Sequence, residues 1–235
     1  MKKIICIVCV NMVLWSCQEK MLGDTMELSV NIKGLKKGTI YIQKVTDSAL
    51  VNIDTIKING NSDFVTNLEI KSPEMFFLVL DRGVTVSGDN SLSFFAEARQ
   101  IKINTSLDNF SLDAKISGSK NQDLYNEYRK VATRFVDKNL DLIELKLKAV
   151  QSKNNAEYEK INSEQVELLK RKYLYTTNFA INNGNYEVAP YVTLAEIPDI
   201  NLKYLDTIQK RMSPKVAQSV YGKKIIQLIK DRKLK

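Results

Sequence analysis

The sequence predicts an α+β fold: an antiparallel β-sandwich-like domain over residues 26–117, followed by a helical domain over residues 118–235 built on a long helical hairpin. Two observations predict it. From Met26 onward apolar residues recur at every second position, the period of a strand with one buried face, and the runs are cut short by turns containing Gly and Asn. After Ser117-Gly118-Ser119 the apolar spacing lengthens to three and four, the period of an amphipathic helix.

The elements follow in order. Met26, Leu28, Val30 and Ile32 alternate with polar residues, Gly34-Leu35-Lys36-Lys37-Gly38 turns the chain, and Ile40 and Ile42 alternate again, which predicts a hairpin. Val51, Ile53, Ile56 and Ile58 form a third strand, whose change of phase near Asp54-Thr55 predicts a bulge. Asn59-Gly60-Asn61 is the strongest turn signal, because Asn and Gly adopt positive φ at little cost, and Phe64, Thr66, Leu68 and Ile70 run back from it. The continuous run Met75 to Leu80 after Pro73 reads as a central strand buried on both faces. Leu92 to Ala96, Ile101 to Ile103 and Leu112 to Ile116 add short strands, for a total that fits a sandwich or an open barrel.

In the helical part, Leu124, Tyr128, Val131, Phe135, Leu142, Leu145 and Ala149 mark one face of a long helix. Ile161, Leu168, Tyr173, Thr176 and Ala180 mark a second, with the bend at Asn154-Asn155, and the two stripes are expected to bury one another. Asn182-Asn183-Gly184-Asn185 is read as a stop that uses left-handed backbone geometry. Shorter helices are expected over Ala189–Glu196, Leu202–Arg211 and Pro214–Tyr221, the last with Ser213 as N-cap, before an amphipathic end from Gly222.

Ahead of the β region, residues 1–16 read as an export signal: Lys2-Lys3, an apolar run from Ile4 to Trp15, and Ser16 before Cys17. The run is too short for a bilayer that needs about twenty residues. Leu14-Trp15-Ser16-Cys17 fits a lipid-attachment site, so the mature chain is expected to start at Cys17 with a diacylglyceryl thioether and an acylated amine, residues 17–25 serving as a tether. Each buried CH₂ contributes about 0.8 kcal/mol, so several acyl chains hold firmly where one does not. The expected location is the outer membrane, facing the periplasm, since Gln18-Glu19-Lys20 is not a clear acidic surface-export cluster. Cys6 and Cys9 fall in the signal, which leaves the mature chain with Cys17 alone and no internal disulfide.

Histidine is absent, which removes the usual general base near neutral pH and the commonest transition-metal ligand. Ser-His-Asp, Cys-His and His-zinc chemistries are excluded, no cofactor is expected, and no motif marks carboxylate catalysis. The net charge of +8 is uneven: residues 18–118 carry 11 Lys and Arg against 13 Asp and Glu, residues 119–235 carry 22 against 14. The basic end, Lys223 to Lys235, reads as a solvated helix terminus whose cations suit the helix dipole. Nucleic acid is not expected as a partner, because the basic residues lack aromatic interleaving and an exported protein rarely meets it.

Three weaker patterns stand out. Ser117-Gly118-Ser119-Lys120 has Ser-x-x-Lys spacing but no Lys-Thr-Gly or Ser-Asp-Asn companion, and is read as a linker and helix start. The tyrosines of the C-terminal half are read mainly as packing between hairpin and sheet. Four Asp-Ser/Thr-apolar triplets, at Thr25, Ser48, Thr55 and Thr207, resemble an O-glycosylation signal of exported Bacteroidetes proteins; Thr25, Ser48 and Thr207 are the candidate sites, Thr55 lying inside a strand.

Ile32-Lys33-Gly34, Ile56-Lys57-Ile58-Asn59-Gly60 with Phe64 after it, and Ile116-Ser117-Gly118-Ser119 before a tyrosine-bearing helix resemble a domain of unknown function found in Bacteroidetes lipoproteins. Ala189-Pro190-Tyr191 and Ser219-Val220-Tyr221-Gly222-Lys223 extend the likeness toward the end of the chain. In that family such a region usually precedes a thioredoxin-like thiol-disulfide oxidoreductase domain. The chain stops at Lys235 where that domain is expected, and it has no Cys-x-x-Cys after the signal, so disulfide exchange, which needs a thiolate and a resolving thiol, is not carried over. The expectation is a non-enzymatic, lipid-anchored protein with a binding or scaffolding role toward an envelope protein or a second copy of itself; the alternatives are an accessory of a thiol-redox system and a binder of glycan or another small ligand in an aromatic-lined cleft.

Overall fold

The structure is a computed structural model that describes residues 23–46, 49–83 and 88–234. Cys17, the signal, the tether up to residue 22 and Ser48 lie outside the described residues. Eight strands, β1 (Thr25–Lys33), β2 (Lys37–Thr46), β3 (Ala49–Asn59), β4 (Asp63–Glu69), β5 (Glu74–Asp81), β6 (Ser91–Ala96), β7 (Gln100–Ser106) and β8 (Lys115–Ser117), form two four-stranded sheets in the orders β4-β1-β7-β8 and β3-β2-β5-β6. The result is a sandwich rather than an open barrel. Among the described pairings β1–β7 is parallel and the others are antiparallel.

Alternation dictates the core. Met26, Leu28, Val30 and Ile32 of β1 face Ile40 and Ile42 of β2, Phe76, Leu78 and Leu80 of β5 and Phe94 of β6, all essentially inaccessible to solvent. This arrangement corrects the predicted β1–β2 hairpin: the two strands belong to different sheets and meet face to face. Gly34, at φ +91°, and the buried Leu35, whose N–H bonds the Ile32 carbonyl, turn the chain across the sandwich. Asn59-Gly60 is also not a hairpin turn, because β3 and β4 lie in opposite sheets and the Gly60 N–H bonds Lys36. Strands with one apolar face bury more surface by stacking than by pairing edge to edge with the next strand in sequence.

Three further expectations shift. The β2–β3 register breaks where Ile42 pairs Asp54 and Gln43 pairs Asn52, so the bulge falls at Ile53. Val51 and Ile53 are exposed, because this half of β3 is a sheet edge with nothing stacked on it. Leu112 is exposed and precedes β8, which is only three residues long.

The helices are α1 (Lys120–Gln151), α2 (Asn155–Asn182), α3 (Val188–Glu196), α4 (Leu202–Arg211), α5 (Pro214–Gln218) and α6 (Val220–Lys233). Asn154 caps α2 through its side chain, and Lys153 takes the positive φ of the bend. Ser213 caps α5 with Pro214 at its first position, while Ser219 ends α5 and caps α6, splitting the single helix predicted there. At the end of α2 the left-handed geometry expected of Asn182–Asn185 is not used. Gly184 has ordinary φ, and its lack of a side chain admits the backbone of α4, since a Cβ would lie 2.1 Å from the Arg211 carbonyl oxygen.

Adjacent buried residues on β6 tie the two parts together. Phe94 points into the sandwich, and Phe95 points to the other side of the sheet, where it joins Met75, Leu124, Tyr128, Val188 and Val192. The central strand β5 is thus covered on both faces near Met75 and Phe77, as its continuous apolar run predicts. Edge-to-face contacts link Phe95 to Tyr125 at 5.8 Å and Tyr191 at 5.3 Å, and Tyr191 meets Tyr221 at 5.1 Å. The tyrosines pack the helices on the sheet, and their hydroxyls find partners: the Met75 N–H donates to Tyr221, and Tyr128 shares a hydrogen bond with Thr176.

Candidate functional site

Two features have the character of a site. The first is the outer part of the hairpin. By geometry α1 is about 48 Å long, and only its first half packs on the sheet and α3. Beyond Phe135 the buried positions are Leu142, Ala149 and Ile161, which pack on each other with Tyr158 and Leu168, so the hairpin continues as a two-helix arm. Leu145, expected in that seam, is exposed, because Phe135, Leu142 and Ala149 set the seam at seven-residue spacing and leave it to one side.

The arm carries a second apolar stripe. Val136, Leu140, Ile143, Leu147 and Val150 are spaced four, three, four, three, the a/d spacing of a coiled coil, yet each is 40–59 % exposed. Val136, Ile143 and Val150 each follow a seam residue by one position, so the stripe lies about 100° around α1 from the hairpin interface. Between α1 and α2, Phe135, Val136 and Asn139 line an open groove of about 400 Å³ with Asn162, Gln165, Val166 and Leu169. Val166 and Leu169 are also exposed, which extends the apolar face across both helices. Asp137, Asp141, Glu144 and Lys148, each one position past a stripe residue, edge it on the far side, with Lys148 paired to Glu144.

The second feature is a polar junction between sandwich and helices. Glu97 follows β6, and its Oε1 accepts from Ser119 Oγ at 2.5 Å and from both the backbone and the side-chain amide of Asn121 at 2.9 Å. Its Oε2 lies 3.6 Å from Arg99 Nε. The Asn121 amide also donates to Glu187 Oε2 at 3.1 Å, and its Oδ1 accepts from the Val188 N–H at 2.8 Å. Next to it Gln122 accepts from the Phe95 N–H. Glu97, Asn121 and Glu187 are at least nine-tenths buried. Beside them opens a cleft of about 460 Å³ whose walls include Asp24, Lys71, Ser72, Arg99, Lys215 and Ser219.

The sequence-predicted residues lie elsewhere. Thr25 is the first residue of β1 and half-buried; Thr207 lies within α4 and donates its hydroxyl to the Lys203 carbonyl. Neither is in a loop. Ser117 and Lys120 of the Ser-x-x-Lys spacing are both exposed at the strand-to-helix junction, and Ser119 between them caps α1. The cleft is polar rather than aromatic-lined, because the aromatic side chains are spent on packing. Among the described residues no group of three or more His, Cys, Asp and Glu side chains is placed to hold a metal.

The second stripe was legible in principle: its spacing is in the sequence, but a reading that follows one face of α1 passes over it. The Glu97–Asn121–Glu187 junction has no such signal, since three single polar residues far apart in the chain have no period.

Residues 26–125 match the family model of a domain of unknown function (DUF4369). The match runs past the last strand into the first turns of α1, so it takes in Ser119, Asn121, Gln122 and Tyr125, which lock that helix to β6. No curated protein and no solved structure matches the chain.

Proposed function

We propose that this DUF4369-containing chain is an exported lipoprotein, anchored through acylated Cys17, that acts without catalysis by holding a second protein on its hairpin arm. The observation that carries this reading is the stripe Val136, Leu140, Ile143, Leu147 and Val150, apolar at coiled-coil spacing and uncovered. The anchor rests on the Leu14-Trp15-Ser16-Cys17 motif, and no helix among the described residues is long and apolar enough to cross a membrane.

The stripe's period specifies the occupant. A helix with its own a/d stripe interdigitates with such a face, and the adjoining α1–α2 groove turns the arrangement into a three-helix bundle. Charge favours a different protein over a second copy. Lys148 pairs Glu144, so the edge keeps its net negative charge through Asp137 and Asp141; a second copy brings the same negative edge, whereas a partner helix with basic residues beside its apolar stripe complements it.

The test is co-purification of the detergent-extracted native protein with and without the double substitution Leu140→Glu and Leu147→Glu. A partner that is present with the wild type, absent with the double variant, and joined through an amphipathic helix supports the reading. A partner retained by the double variant, or the wild type purifying alone as a monomer, contradicts it.

A further inference from the structure

We propose that the cleft between sandwich and helices binds a small zwitterion, a free amino acid or short peptide, with its ammonium group at Glu187. The two buried carboxylates of the junction are not equivalent. Glu97 is saturated: one oxygen takes three hydrogen bonds and the other faces Arg99. Glu187, only 4 % exposed, receives a single hydrogen bond, from the neutral amide of Asn121, and no cation lies within ion-pair distance of it among the described residues. A buried carboxylate in that condition calls for a charged donor.

A second observation comes from a residue that lines the same cleft. Ser72 Oγ, in its wall, is buried and has no hydrogen-bond partner, the one such side-chain atom found among the described residues. A buried hydroxyl without a partner is uncommon in a folded protein and marks a place where a ligand or water completes the set.

The chemistry of the walls narrows the ligand. A metal ion is a poor fit, since Glu97 is already occupied and no third ligand of suitable type stands with the pair. An ammonium suits Glu187 and has further protons to offer. Lys71 and Lys215, both exposed in the cleft walls, supply the counterpart for a carboxylate at the ligand's other end. The volume of about 460 Å³ admits a molecule of one to three residues.

The test is calorimetric titration of the full-length chain in detergent with L-alanine, Ala-Ala and Ala-Ala-Ala, and with the N-acetylated form of each. Saturable binding of at least one free-amine probe is expected, at least tenfold weaker for its acetylated counterpart and at least tenfold weaker in Glu187→Gln. Lys215→Ala changes an exposed residue outside the buried junction and is expected to weaken binding several-fold, which keeps the test open if Glu187→Gln does not fold. Absence of saturable binding, equal binding of acetylated probes, or binding unchanged in both variants would overturn the proposal. Because the hairpin arm is untouched, loss of this site leaves the helix-docking reading standing, and the reverse also holds.

Discussion

Asn121 gives Glu97 two hydrogen bonds on the same carboxylate oxygen, one from its backbone N–H and one from its side-chain amide, each at 2.9 Å. The pair fixes the first turn of α1 to the end of β6, and through Glu187 and Val188 it reaches the start of α3. Asn121 thereby joins Ser119, Gln122 and Tyr125 in holding the start of α1 against the sandwich.

Asn121→Ala removes every one of these side-chain contacts and leaves the buried Glu187 carboxylate and the Val188 N–H unpaired, which is expected to cost about 2–4 kcal/mol. Asn121→Asp is expected to cost more at neutral pH, because it sets a third carboxylate against Glu97 and Glu187, and to recover partly as the pH falls. Denaturant unfolding of both variants at neutral and mildly acidic pH is the check. Equal stability of Asn121→Ala and the wild type would show that the junction does not hold the parts together.

Gly118→Ala is expected to destabilise by about 3 kcal/mol or more. Gly118 has φ +99°, and a Cβ there would lie 2.0 Å from the Gln100 carbonyl oxygen, so backbone strain and a steric clash act together. Gly60→Ala, with positive φ but open space around it, is expected to cost clearly less. Thermal unfolding ranks the two.

Phe95→Ala is expected to cost about 3–5 kcal/mol, the range for emptying an aromatic site in a core. Because Phe95 belongs to the layer shared by sheet and helices, unfolding monitored by helical and by aromatic signals should shift together. Separate transitions, with only the helical signal displaced, would mean that the layer does not couple them.

Alkaline pH is expected to unfold the protein through its buried phenols. Burial pushes the Tyr221 hydroxyl up to about 12 and raises those of Tyr128 and Tyr191 further. An unfolded tyrosine ionises near 10, so these groups leave stability intact below that pH and withdraw it as the pH climbs from about 10 toward the folded-state values. The tyrosinate absorbance of these buried rings should therefore rise only as circular dichroism is lost. One smooth titration with the fold intact would contradict it.

Much of the architecture was legible because periodicity reports burial directly. Met26 to Ile32 announce a one-faced strand, Met75 to Leu80 a two-faced one, and Ser213-Pro214 a helix start. Pairing was not legible. The turn at Gly34 and the Asn59-Gly60 signal have the chemistry of tight turns, and nothing local says that each carries the chain to the opposite sheet. Exposure also escaped the reading: Leu145, Val51 and Ile53 have the right period, but an apolar side chain is buried only where another element covers it. The cleft was illegible because Glu97, Asn121 and Glu187 become neighbours only after the sandwich, α1 and α3 have met.

The most direct test of the central claim places a photo-crosslinking residue at position 143, in the middle of the uncovered stripe, and another at position 138, toward the opposite side of α1, in cells that make the native protein. The account predicts a discrete crosslink from 143 that maps to an amphipathic helix of another protein, and none from 138. Crosslinks of equal yield from both positions, crosslinks to a second copy alone, or none from 143 would contradict it.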